Sequence, residues 1–137
     1  MNYKIDHCDP FDGEYNNFWM KLEHCGRYLF AVDVLKKEGV RTVLDLACAE
    51  GYGTDIIASN GFSAMGGDVQ RAYIDSAERQ YKSARYFCVD LDNEIPKDLN
   101  GVDAVVCFET IEHLKKPFAF LNRLKTLVRK GGVLVLS

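Results

Sequence analysis

At 137 residues the chain has room for one domain with a real core. Hydrophobic residues make up 47% and charged residues 27%, as in an ordinary soluble globular protein. A net charge of -3 with no compensating Lys/Arg cluster argues against a nucleic-acid partner, and no apolar run is long enough to span a membrane.

The start, MNYKIDHCDPFDGEY, is polar and acidic where a signal peptide would carry an apolar run. Five cysteines, Cys8, Cys25, Cys48, Cys88 and Cys107, are odd in number and contain no C-x-x-C pair. Neither a disulfide framework nor a zinc site is expected, and a reduced, cytoplasmic location follows.

Residues 1–13 lack periodicity and read as an irregular arm. From Glu14 the pattern turns helical, with Phe18, Trp19, Leu22, Leu29, Phe30, Val34 and Leu35 near one stripe and Gly39 as the stop. Gly26 is expected to split this run into two helices that cover a sheet, the second starting near Arg27. A sharper alternative has Arg27 or Tyr28 reaching over a ligand.

A strand–helix alternation follows. Strands are expected at Thr42–Leu46, Ser63–Gly67, Arg85–Val89, Asp103–Phe108 and Val133–Leu136, the last after a Gly131-Gly132 turn. Helices are expected from about Gly53 to Ser59, Ala72 to about Lys82 and Pro117 to Val128, with a weak helix or turn after the loop Asp92–Pro96. This order predicts right-handed crossovers and a doubly wound parallel sheet. Strand five would form a sheet edge, to be covered by a missing C-terminal segment, a second copy or the N-terminal helices.

Ligands of such sheets sit outside the carboxyl ends of the strands. Here every one of four successive ends carries an acid: Asp45, Asp68, Asp90 and Glu109. The segment Gly51-Tyr52-Gly53-Thr54-Asp55-Ile56 begins like G-x-G-x-x-G, but Ile56 replaces the last glycine. A pyrophosphate would also face Asp45, Glu50 and Asp55, so an NAD(P)-linked oxidoreductase is disfavoured. An ammonium, a sulfonium and a ribose diol suit carboxylates, which selects S-adenosylmethionine. Asp68, 23 positions after Asp45, is suited to accept from the ribose hydroxyls.

From Thr42 to Ser137, and more loosely over the preceding Glu23–Ala31, the sequence resembles the class I S-adenosylmethionine-dependent methyltransferases. VLDLACAEGYGT resembles the first motif, with Asp45 at the acidic position, Ala47 and Ala49 at two glycine positions of the loop, and Gly51 at its last glycine. The resemblance implies that this loop, with Gly53 beyond it, binds the cofactor. GGDVQ resembles the second motif, implying that Asp68 binds ribose and Val69 packs on adenine. CVDLDN resembles the third, implying that Asp90 accepts from the adenine amino group and that the Leu91 backbone meets the ring. DAVVCFETIEHL resembles the fourth, with Glu109 at the mouth of the methyl-donor pocket, and its FETIEHL resembles the small-molecule and glycan-biosynthesis branch. GGVLVLS resembles the fifth strand.

The implied fold is a Rossmann-like doubly wound sheet of order 3-2-1-4-5 over residues 42–137, lacking the family's last two strands, with residues 1–41 as arm and covering helices. The implied function is methyl transfer to a small-molecule acceptor, such as a sugar or glycan precursor, without nucleic-acid or membrane partners. A non-catalytic S-adenosylmethionine-binding module is the alternative. If the acceptor must lose a proton, His113, four residues after Glu109, is the candidate base, against a capping or substrate-orienting role. Glu112 and His113 lack a second His at ligand spacing, so no metal is expected. His7 and His24 read as surface or packing residues.

Overall fold

The computed structural model describes residues 10–11, 18–93 and 95–137; the arm and the predicted helical turn at 14–17 lie mostly outside these residues. Strands β1 (Thr42–Leu46), β2 (Ser63–Asp68), β3 (Arg85–Cys88), β4 (Val102–Cys107) and β5 (Val128–Leu136) form one sheet. Its order is β3-β2-β1-β4-β5, with every pairing parallel. Helix α1 (Phe18–Lys37) precedes the sheet, and α2 (Tyr52–Ser59), α3 (Arg71–Gln80) and α4 (Pro117–Leu127) connect its strands, with 3-10 turns at Lys97–Leu99 and Ile111–His113. The chain order reverses between β1 and β4, which places a binding crevice above the ends of those two strands.

The alternation of β1 sorts its side chains into two layers. Val43 joins Tyr28, Ala31, Val32 and Leu35 of α1 and Ile57 of α2 in one buried cluster. Leu44 and Leu46 join Val105, Cys107 and, from α4, Phe120, Leu124 and Leu127 in the other. Each fully buried Leu, Ile or Phe contributes about 1.5–3 kcal/mol relative to exposure, so these two layers dominate the folding free energy. Asp45 lies between Val43 and the loop and is fully buried with them.

Two helical expectations are corrected. Gly26 does not split the N-terminal segment; α1 is one helix of 20 residues, because a glycine costs a helix only about 1 kcal/mol and burial of the opposite face outweighs it. Of the expected stripe, Leu35 and Val34 do meet the core, but the other five residues do not. Tyr28, Ala31, Val32 and Leu35 are the buried residues, whereas Phe18, Trp19, Leu22, Leu29 and Phe30 are exposed. The helix ends as Gly39 predicts. Gly39 has φ 65°, its N–H donates to Lys36 O, and Val40 N–H donates to Leu35 O, with Val40 and Leu35 in the same core.

Strand β5 is longer than expected. It begins at Val128, and Gly131-Gly132 lies within it at a register shift between the pairs Val102–Val128 and Ala104–Val133. The glycine pair therefore forms a bulge rather than a turn before the strand. Strands β3 and β5 are the sheet edges.

Candidate active site

The crevice begins at the loop after β1. Ala47 and Ala49 both have left-handed backbone, with φ 60° and 47°, and Glu109 after β4 has φ 48°. Left-handed geometry disfavours a Cβ, so the loop holds two alanines where glycine would relax it. The geometry is fixed from below: Cys48 N–H donates to Gly67 O at 3.1 Å and Gly51 N–H to Cys48 O at 3.0 Å. Ala49 N–H donates to Asp68 Oδ2 at 3.0 Å, which ties the β1 loop to the end of β2.

Asp68 also accepts from Gln70 N–H at 2.9 Å, and burial raises its carboxyl above the usual range despite these bonds. Asp90, exposed at the end of β3, accepts from Asp92 N–H at 2.9 Å and Asn93 Nδ2 at 2.7 Å, so it closes its own turn. Leu91 is buried, and its carbonyl accepts from the Arg123 guanidinium of α4. Glu109 N–H donates to Ser137 O at 3.2 Å, while its carboxylate accepts from Ser137 Oγ at 3.0 Å and stands 3.5 Å from Arg27.

Two cavities meet over this loop. The larger, about 600 Å³, is lined by Asp68, Val69, Asp90, Leu91, Asp92 and His113, among others. Its size is that of a small-molecule site, and Val69 stands 62% exposed at its wall. The smaller, about 160 Å³, is lined by His24, Arg27 and Tyr28 of α1, by Ala49 and Tyr52, and by Phe108. Ala47, Glu109 and Thr110 line both, so these three residues mark the junction.

The residues named from sequence therefore divide into groups. Asp68, Val69, Asp90, Leu91 and His113 line the larger cavity, Ala49 the smaller, and Ala47 and Glu109 both. Asp45, Gly51 and Gly53 are buried beneath the loop and line neither. A Cβ on Gly53 would fall 1.9 Å from the Tyr28 ring, so this glycine makes the seat on which Tyr28 lies. Tyr28 Oη in turn donates to both oxygens of Asp45 at 3.3 Å, and Thr54 Oγ1 donates to Oδ2 at 2.7 Å. Burial pushes the Asp45 carboxyl up to about 7, against the pull of the Thr54 and Tyr28 hydroxyls.

His24, expected from sequence as a surface or packing residue, packs against Tyr52 and also borders the smaller cavity. Its Nδ1 is 2.7 Å from Tyr52 Oη, and its ring lines the smaller cavity. Burial first, and then Arg27, lowers its pKa below 6.5, so the imidazole is neutral at pH 7. The signal was present in the spacing of His24, Arg27, Tyr28, Ala31 and Leu35, at intervals of three and four, which is one helix face.

The comparisons with known proteins agree with this geometry. The model of the methyltransferase domain matches residues 44–136. The chain belongs to the class I S-adenosylmethionine-dependent methyltransferases. A probable S-adenosylmethionine-dependent methyltransferase of Mycolicibacterium smegmatis is 37% identical over 101 residues, covering 71% of this chain and 37% of the relative. The ubiquinone biosynthesis O-methyltransferase of Coxiella burnetii is 30% identical over 99 residues, covering 69% of this chain and 42% of the relative. The chain thus spans about two fifths of the length of these curated relatives. The fold matches that of the magnesium protoporphyrin IX methyltransferase of Synechocystis PCC 6803, solved with bound S-adenosylhomocysteine, with a TM-score of 0.71 at 18% identity. That match covers 87% of this chain and 59% of the other. The family's cofactor is S-adenosylmethionine, and no helix among the described residues is long and apolar enough to cross a membrane.

Proposed function

We propose that this chain binds S-adenosylmethionine across its two joined cavities and directs its methyl group to a small-molecule acceptor. The observation that carries the reading is the pair of cavities, one large and acid-lined, one small with an arginine, meeting at Ala47, Glu109 and Thr110. An adenosine with a charged amino-acid tail has this shape and this distribution of charge. Asp68 would accept from the ribose diol, because Ala49 and Gln70 orient its carboxylate and leave lone pairs facing the cavity. Val69 and Leu91 would flank the adenine, with Asp90 beside its amino group. Arg27 would meet the carboxylate of the tail, and Glu109, its present partner, stands where positive charge is favoured.

When bound, the cofactor supplies a methyl group already activated on a sulfonium. The protein then has to align an acceptor, hold it close to the methyl and keep water out. Glu109 and Thr110 line the junction, and the rings of Tyr28 and Phe108, 5.1 Å apart edge to face, give the smaller cavity an aromatic lining. A base is required only for an acceptor that must lose a proton. His113 at the larger cavity remains the candidate for that step, exposed and therefore open to an incoming acceptor. The acceptor class, a small molecule such as a sugar or glycan precursor, rests on the resemblance of FETIEHL to that branch.

Calorimetry tests the reading. S-adenosylmethionine and S-adenosylhomocysteine should bind, NAD should not, and Asp68→Ala should weaken the first two by about 1–3 kcal/mol, the cost of losing a buried hydrogen-bonding group. Unchanged affinity in the variant would place the ribose elsewhere. Binding without transfer to any acceptor would favour the non-catalytic module.

A further inference from the structure

Helix α1 is apolar on two opposite faces, and among the described residues only one of them is packed. Tyr28, Ala31, Val32 and Leu35 pack on the sheet. At 3.6 residues per turn, Phe18, Trp19, Leu22, Leu29 and Phe30 lie about 150° around the helix from them. These five side chains are between 50% and 76% exposed. Gly26 lies in the middle of the same outer stripe, and a Cβ there would meet nothing within 4 Å. Among the described residues no neighbour explains this glycine, although glycine is the poorest helix former after proline. A close helix–helix crossing does explain it.

We infer that the outer face of α1 is a dimer interface, in which two copies of this chain cross antiparallel at Gly26. A two-fold axis through Gly26 pairs position 26 with itself and each residue with the one equally far on the other side. Leu22 then packs on the partner's Phe30, and Phe18 comes opposite the partner's Val34. The apolar pairs Leu22–Phe30 and Phe18–Val34 are symmetric about the glycine, while Trp19 and Leu29 come opposite the partner's Asp33 and the partner's Glu23 and flank this seam.

The area is adequate. With full side-chain areas of about 150–250 Å² for aromatics, the five residues expose on the order of 600 Å² per copy. Complete burial of both stripes in a symmetric pair would remove about 1,200 Å², at the lower bound of specific protein–protein interfaces. The charges favour a protein occupant over a lipid surface. The four basic residues of α1, Lys21, Arg27, Lys36 and Lys37, are scattered around the helix, and Arg27 and Lys37 are bonded to Glu23 and Asp33, so they form no single basic face to attract anionic lipid. The surface lies on the side of α1 away from His24, Arg27 and Tyr28, so dimerisation leaves the cofactor cavities open.

Light scattering on the purified chain should give twice the 15.5 kDa monomer mass at about 100 µM. Leu22→Glu/Phe30→Glu should return it to the monomer mass with an unchanged circular-dichroism spectrum. A Gly26→Cys chain should form a disulfide-linked dimer on oxidation, reversible by thiol, that the wild type with its native Cys25 does not form. The cross-link keeps the test independent of the charged variant's folding. A monomeric wild type overturns the proposal, whether residues 1–17 or added anionic vesicles are then found on the helix. So does a dimer that survives the double substitution or fails to cross-link through position 26, since it would use another surface.

Discussion

Asp45 is a buried carboxyl held by two hydroxyls and no cation, and that makes it a source of pH-dependent stability. Its pKa of about 7 in the fold lies above the ordinary carboxylate value of 3.8, so between those limits the native state holds a proton that the unfolded chain has lost. Stability therefore falls as pH rises from about 4 to about 7 and levels off above, by as much as about 4 kcal/mol for an isolated group. Asp103 works in the opposite sense: Arg129 and the Arg41 and Thr42 amides lower its pKa, so its contribution is lost only below about 4 and leaves this window clear. Asp45→Asn keeps the shape and the acceptor for Tyr28 and Thr54 but removes the titration. Urea unfolding at pH 5 and pH 8 should show a more unfavourable change with rising pH in the wild type than in the variant. Asp68, raised by burial, and His24, lowered by it, titrate with opposite sign and are common to both. An equal change in both would mean that Asp45 ionises freely in the fold. Asp45, expected from sequence to bind the cofactor, lines neither cavity and accepts from Tyr28 and Thr54 beneath the loop.

Helix α1 joins the fold to the site. Its inner face packs the core with Ala31 and Leu35 and, one and two turns earlier, presents His24, Arg27 and Tyr28 to the smaller cavity. If Arg27 reads the carboxylate of the cofactor tail, Arg27→Ala should weaken S-adenosylhomocysteine by about 1.5–3 kcal/mol, the range for a charged hydrogen bond. It should leave 5′-methylthioadenosine, which has no amino-acid tail, unchanged in the same calorimetric titration. Equal losses for both ligands would assign Arg27 a structural role. The β–α alternation was legible because Val, Leu and Ala runs end in small residues and caps, and the boundaries of β1 and the stop at Gly39 follow from those signals. The facing of α1 was not legible. Both of its faces are apolar, so periodicity marks a helix without telling which side meets the sheet, and larger Phe and Trp residues outweighed the smaller Ala and Val that fill the core. Gly131-Gly132 misled for a related reason, since glycine marks a turn or a bulge equally in sequence.

At the scale of the whole molecule, the crevice lies where the two hydrophobic layers meet the carboxyl ends of β1, β2 and β4. The larger cavity is lined from β2, β3 and β4 and their following loops, and the smaller from α1, the β1 loop and the β4 end. A ligand that fills both therefore connects α1 to nearly the whole sheet, and it can bind only when all these elements are in place. Its binding free energy is then added to global stability. At a hundred times its Kd, S-adenosylhomocysteine should contribute about 2.7 kcal/mol. For a domain of this size that corresponds to a rise in Tm of roughly 10 °C. 5′-Methylthioadenosine at the same multiple of its own Kd should give the same rise, because linkage depends on saturation and not on which contacts are made. At equal total concentration it should give less, since it leaves Arg27 unengaged. NAD should leave Tm where it was. A scan in which S-adenosylhomocysteine sharpens or shifts only part of the transition would show that α1 unfolds apart from the sheet, and that the smaller cavity is assembled on a different element from the one proposed.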